Sequence, residues 1–152
     1  MLLDRLASNN EHRVRQRAVH NLATALHADD VQVKQYLHAN TPFPALVEIA
    51  TEAEARSDAL TLSLVFSAIA NLATALIPLC GTGGDIGRLL GRSLLMATTY
   101  SSVDDEVSLL SSSLSAAYNL SGDMTVLTAL NDVAVAPALI KLMHSSNSKI
   151  AE

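Results

Sequence analysis

Arg13 and Arg17 stand four residues apart, one helical turn, and two guanidinium groups so placed can grip carboxylates or phosphate through paired N–H donors. An ordinary solvated helix face accounts for the same pair, so both readings stay open. Residues 81–87, Gly-Thr-Gly-Gly-Asp-Ile-Gly, have the glycine content of a phosphate-cradling loop. No strand-like run precedes them, the dinucleotide spacing is wrong and no Gly-Lys-Ser/Thr follows, so they are read as a flexible connection between helices. His12, His20, His27, His38 and His144 are scattered, and none pairs with Asp, Glu or Cys at the tight spacing of a zinc site. Cys80 lacks a sequence-local activating partner and reads as a small, partly buried apolar residue. No catalytic residue, metal or cofactor is assigned, and an enzyme is not expected.

Composition limits the remaining choices. The chain has 152 residues, 49% of them hydrophobic and 16% charged, which predicts a folded chain organised as a single domain over 1–152. Aromatics are only 3% and Trp is absent, a balance that suits close helix packing better than a β-sandwich core. With a net charge of −5 there is no global positive field to draw nucleic acid, and none is expected as a partner. A single cysteine excludes an internal disulfide, and no leader pattern opens the sequence, so an intracellular location, cytoplasmic or nuclear, is expected. On that footing the glycosylation-like triplet Asn119-Leu120-Ser121 is set aside. The most apolar run, 60–80, carries Thr61, Ser63, Ser67, Asn71 and Thr74 and ends against Pro78; it reads as a buried helix and not a membrane span.

Internal repetition organises the rest. Residues 18–26, Ala-Val-His-Asn-Leu-Ala-Thr-Ala-Leu, return as 68–76, Ala-Ile-Ala-Asn-Leu-Ala-Thr-Ala-Leu, and more loosely as 116–122, Ala-Ala-Tyr-Asn-Leu-Ser-Gly. The asparagines fall at 21, 71 and 119, giving spacings of 71−21=50 and 119−71=48. Each copy closes a helical pattern. Before Asn21, Val14, Ala18, Leu22, Ala25 and Leu26 make the apolar face, with Arg13, Arg15, Gln16 and Arg17 off it. Before Asn71, residues 59–76 are apolar nearly all round, the pattern of a central helix covered on both sides. Before Asn119, the acidic Asp104, Asp105 and Glu106 suit a helix start, and Gly122 sits where a helix ends.

Shorter units lie between. Residues 28–39 form a short helix that breaks at Asn40-Thr41-Pro42, and Phe43-Pro44 opens the next. The order returns at 124–133 followed by 135–146, and 2–10 reads as the end of a second helix leading into the first long one. Connections are expected at 51–57, 81–84 and 98–105, and Gly87 and Gly91 leave the pattern over 85–97 weak.

These residues resemble the armadillo repeat along the whole chain. The run Pro137-Ala138-Leu139-Ile140-Lys141-Leu142-Met143-His144 is similar to the family's second-helix signature, and the three Ala-x-x-Asn-Leu motifs to the end of its third helix. HEAT repeats are the near neighbour, and residues 11–18 would sit comfortably in one. The resemblance implies an all-α, armadillo-like right-handed α-α superhelix of about three stacked repeats, with remnants near 1–27, 28–77, 78–122 and 123–152. It also implies a protein-interaction scaffold whose groove asparagines, here Asn21, Asn71 and Asn119, bind the backbone of an extended peptide. The competing reading has them bridging neighbouring repeats. One turn earlier stand Arg17, Ser67 and Ser115, where nuclear-import adaptors of the family carry tryptophans, so nuclear-signal binding is not expected.

The partner is accordingly a protein or peptide, extended or helical, with an acidic one in view near Arg13 and Arg17. The runner-up is a structural subunit of a larger assembly, and a helical enzyme comes a distant third. An uncapped apolar end near Leu139, Leu142 and Met143 predicts self-association or a longer parent chain.

Overall fold

The computed structural model describes residues 2–7, 10–25, 31–97 and 103–143, and among them every element is a helix or a turn. A 3-10 turn at Leu3–Leu6 leads into α1 (His12–Ala25), α2 (Val31–Ala39), α3 (Phe43–Ala55), α4 (Ala59–Thr74), α5 (Gly83–Ala97), α6 (Val103–Asn119), α7 (Met124–Asp132) and α8 (Ala136–Met143). The long helices α1, α4 and α6 pack in that order as one row. A second row is formed by the 3-10 turn, α3 and α5, with α7 and α8 laid on α5. One cluster of buried apolar side chains runs from Leu6 to Val135 between the rows.

The three long helices are parallel, because partners advance together along both members of each pair. Gln16 meets Thr61 and Ala23 meets Asn71 across α1 and α4; Ser63 meets Ser108 and Thr74 meets Asn119 across α4 and α6. The offset of 45–49 residues lies close to the spacings of 50 and 48 seen in the sequence.

Helix α4 is the core helix that its composition predicts, and Leu62, Val65, Phe66, Ala68, Ile69 and Leu72 are fully buried. Asp58 starts it by accepting from the Thr61 amide at 3.0 Å, satisfying one of the four orphan N–H groups of a helix start. It stops in a turn where Leu76 N–H donates to Ala73 C=O and Ile77 N–H to Leu72 C=O, with Leu76 held at φ 58°. The end of α3 has the same two bonds around Ser57, also left-handed at φ 54°. Left-handed stops are thus made by Leu76 and Ser57, where glycine is the usual choice.

Several sequence expectations change. Arg15 is not on the solvent side of α1: it is 4% exposed, and the buried face is Arg15, Ala18, Val19, Leu22 and Ala23, with Val14 only half-buried. Residues 83–97 form one uninterrupted helix beginning at Gly83 inside the expected 81–84 loop. Gly87 and Gly91 are there for close approach. A Cβ on Gly87 would lie 2.5 Å from the Val126 carbonyl oxygen, and one on Gly91 would lie 2.8 Å from Val133 Cβ, so α7 rests directly on the α5 backbone. Before it, 78–82 is a turn closed by the Thr82 hydroxyl, which donates to Leu79 C=O at 2.6 Å. Cys80 is exposed, since that turn holds it at the surface. Residues 3–6 are a 3-10 turn and not an α-helical end, and Gly122 has no left-handed φ. The expected connection at 98–102, the start of the first short helix at 28–30, and His27 and His144 lie outside the described residues.

Candidate functional site: the face of the long-helix row

Counting back from each asparagine gives the same surface position in every long helix: 21−17=4, 71−67=4 and 119−115=4, so Arg17, Ser67 and Ser115 are equivalent. Between α4 and α6 this face sinks into an open depression of about 380 Å³, lined by Ser67, Ala70, Asn71 and the α6 serines 108, 111, 112 and 115. Serine recurs there because a short side chain leaves the two helix backbones as the groove walls. Its floor is tied internally: the Ser108 hydroxyl donates to Ser63 Oγ at 3.2 Å, and the Ser112 hydroxyl turns back to Ser108 C=O at 3.0 Å. Ser67, Ser111 and Ser115 keep hydroxyls without partners among the described residues. Each hydroxyl offers one donor and two lone pairs to a bound chain.

At the α1 end a second depression, about 420 Å³, is lined by Glu11, Arg13, Val14, Gln16 and Arg17. Gln16 is held by donating to Thr61 Oγ at 3.0 Å. Arg13 and Arg17 are exposed and have no carboxylate partner among the described residues. Arg15, between them in sequence, points the other way. Its Nη1 donates to both oxygens of Glu52 at 2.9 Å and its Nε to Leu6 C=O at 3.2 Å. Its Nη2 is 3.4 Å from Glu48 Oε1, near enough for attraction but without hydrogen-bond geometry. The Arg15 hydrogen bond holds the Glu52 carboxyl below its ordinary range against the opposing effect of burial.

The asparagines divide. Asn71 donates its amide to Ala23 C=O at 2.7 Å, a carbonyl in the last turn of α1 that has no acceptor role within the described helix. Asn119 donates to Ala70 C=O and to Thr74 Oγ, both at 3.0 Å. Asn119 therefore spends both N–H donors on the preceding long helix and keeps only its carbonyl oxygen for other partners, whereas Asn71 spends one donor and keeps the other N–H as well as its carbonyl oxygen. Asn21 is exposed with no amide partner among the described residues. The structure thus brings Ser67, Asn71 and Ser115 into one groove and Arg13 and Arg17 into another, and leaves Asn119 and Asn21 outside both linings.

Ser108 and Ser112 were not singled out by sequence reasoning. The sequence carried no signal for them, since the offset of 45 residues that sets Ser108 against Ser63 and Gln16 against Thr61 belongs to the packing, while the motif repeats at 50 and 48. Among the described residues no group of three or more His, Cys, Asp or Glu is placed to hold a metal ion, and no helix is long and apolar enough to cross a membrane. No protein-family model, curated protein or solved structure matches the chain.

Proposed function

We propose that this chain is a protein-interaction scaffold of armadillo type, a right-handed superhelix of about three stacked repeats that holds an extended peptide or a helix of a partner across α1, α4 and α6. The observation that carries the reading is the parallel row itself: three helices advancing by similar offsets, with Ser67, Ser111 and Ser115 hydroxyls that have no partner among the described residues lining an open groove between two of them. A regular row of helices repeats the same surface position at fixed intervals, which suits a ligand that is itself repetitive, such as a polypeptide backbone. An intracellular setting, cytoplasmic or nuclear, belongs to this reading. The test is capture from native extract with the wild-type chain and with Ser111→Phe, which fills the groove. A partner retained by the first and lost by the second, at equal melting temperature, supports the scaffold; a partner retained by both moves binding off this face.

A second reading, a structural subunit that self-associates or belongs to a longer stack, draws on a different observation. Leu114, Tyr118, Met124, Leu127 and Ile140 are exposed large apolar side chains gathered on α6, α7 and α8, at the C-terminal end of the rows. Leu139 is half-buried against the core, and the side chains of Leu142 and Met143 lie outside the described residues. A sedimentation series over concentration separates the readings: a constant monomer mass removes self-association.

A further inference from the structure

The arginines of this chain are distributed unevenly between paired and unpaired states. Arg15, Arg56, Arg88 and Arg92 each have a carboxylate within 2.6–3.1 Å, from Glu52, Glu52, Asp85 and Glu54 respectively. In a chain of net charge −5, carboxylates are in excess and cations are readily satisfied. Among the described residues the exposed Arg5, Arg13 and Arg17 stand without one, and of these Arg13 and Arg17 lie one turn apart in the same depression. Glu11 also lines it, and no salt bridge joins Glu11 to either arginine.

We propose that the partner segment carries an adjacent pair of acidic residues that seats on Arg13 and Arg17, with uncharged side chains a short distance along the segment lying in the serine groove. The proposal rests on the scaffold reading and names the chemistry of its ligand. An extended strand crossing the helix row at α1 points successive side chains to opposite sides, so neighbouring carboxylates address Arg13 on one side and Arg17 on the other. Each contact is a charge-assisted fork of the guanidinium onto a carboxylate. Helices packed about 8–10 Å apart put the α4–α6 groove roughly 12–15 Å from α1, which a strand rising about 3.3 Å per residue covers in about four residues. There the open groove of about 380 Å³ is walled by Ser67, Ser111 and Ser115, short uncharged side chains that leave room for an uncharged side chain of the segment. The segment is therefore acidic at one end and neutral about four residues away.

The test pans a random dodecapeptide phage library on the full chain and titrates fluorescein-labelled selected peptides by anisotropy against four proteins. These are the wild type, Arg13→Glu/Arg17→Glu, Arg13→Gln/Arg17→Gln and Ser111→Phe, with melting curves for each. The expected result is enrichment of adjacent Asp or Glu, roughly tenfold or greater loss of affinity in the Glu pair, and weakening by salt. The Gln pair removes the charge without adding a new one, and serves if the Glu pair does not fold. Peptides without acidic enrichment that ignore both arginine variants but are lost in Ser111→Phe overturn the acidic ligand and leave the groove standing. Peptides indifferent to all three variants, or no selected peptide at all, overturn both readings.

Discussion

The amide of Asn71 donates to the carbonyl of Ala23 at 2.7 Å, joining the middle of the helix row to the last turn of α1. Forty-eight residues later Asn119 likewise donates to α4, at Ala70, about one turn before the residue equivalent to Ala23. At 71 and 119 the recurring asparagine is thus a joint between neighbouring long helices, one of the two roles open to it from sequence, while Asn21 makes no such bond among the described residues.

The three asparagines should differ in a way their shared motif does not foretell. Asn71→Ala is expected to cost about 0.5–1.5 kcal/mol, the net worth of one hydrogen bond, and more if the Ala23 carbonyl stays dry. Asn21→Ala, with no amide partner among the described residues, should fall within about 0.5 kcal/mol of wild type. Urea melts of both variants decide it; equal losses would mean that the joint is not what stabilises Asn71.

The glycines of α5 give a paired prediction. Gly→Ala inside a helix ordinarily gains up to about 1 kcal/mol. At Gly87 the added Cβ meets Val126 O at 2.5 Å and Ala129 Cβ at 2.8 Å, so Gly87→Ala should instead destabilise by about 1–3 kcal/mol as α7 is pushed away. Gly84→Ala meets only the Arg88 guanidinium at 3.7 Å and should be neutral or stabilising. Opposite signs in thermal melts check the α5–α7 contact.

Leu76 is 80% exposed at φ 58°, a backbone that costs an L-residue about 1–2 kcal/mol. Glycine there loses about 0.5–1 kcal/mol through its looser unfolded chain, so Leu76→Gly should gain about 0.5 kcal/mol or more. A lower melting temperature would show that the Leu76 side chain holds the α4 stop by a contact of its own.

Acid should weaken the fold through its helix caps. Burial pushes the Asp58 carboxyl up, but the Thr61 hydroxyl and amide and His12, whose Nε2 is 3.2 Å away, outweigh it and hold it low. The Thr125 hydroxyl, helped by the Val126 and Thr125 amides, does the same for Asp123, and Arg15 for Glu52. Folded values below the unfolded ones mean stability that is full above about pH 5 and is lost as pH falls through and below the ordinary carboxyl range near pH 4. Melting temperature against pH should show that decline, with a shallower slope in Asp123→Asn.

What could be read in the sequence was the local periodicity: Asn-Leu at 21, 71 and 119 fixed which helices are long and equivalent, and the all-round apolar 59–76 marked α4 as central. What could not be read depended on distant partners. Arg15 was given to solvent because charge usually belongs there, yet Glu52, 37 residues on, compensates its burial; the clue was the rhythm Arg15, Ala18, Val19, Leu22. Gly87 and Gly91 weakened the helix pattern of α5 because their reason, the α7 backbone and Val133, lies some 40 residues away in sequence. For the candidate site, Ser67 and Ser115 followed from the motif, whereas Ser108 and Ser112 required knowing that α6 advances on α4 by 45.

The central claim, that a partner lies across α1, α4 and α6, is tested most directly by following backbone amide resonances of the isotope-labelled chain during titration with a library-selected dodecapeptide. The account predicts shifts concentrated at Arg13, Arg17, Ser67, Asn71, Ser111 and Ser115. Shifts concentrated instead on α7 and α8, around Met124, Leu127 and Ile140, would contradict it.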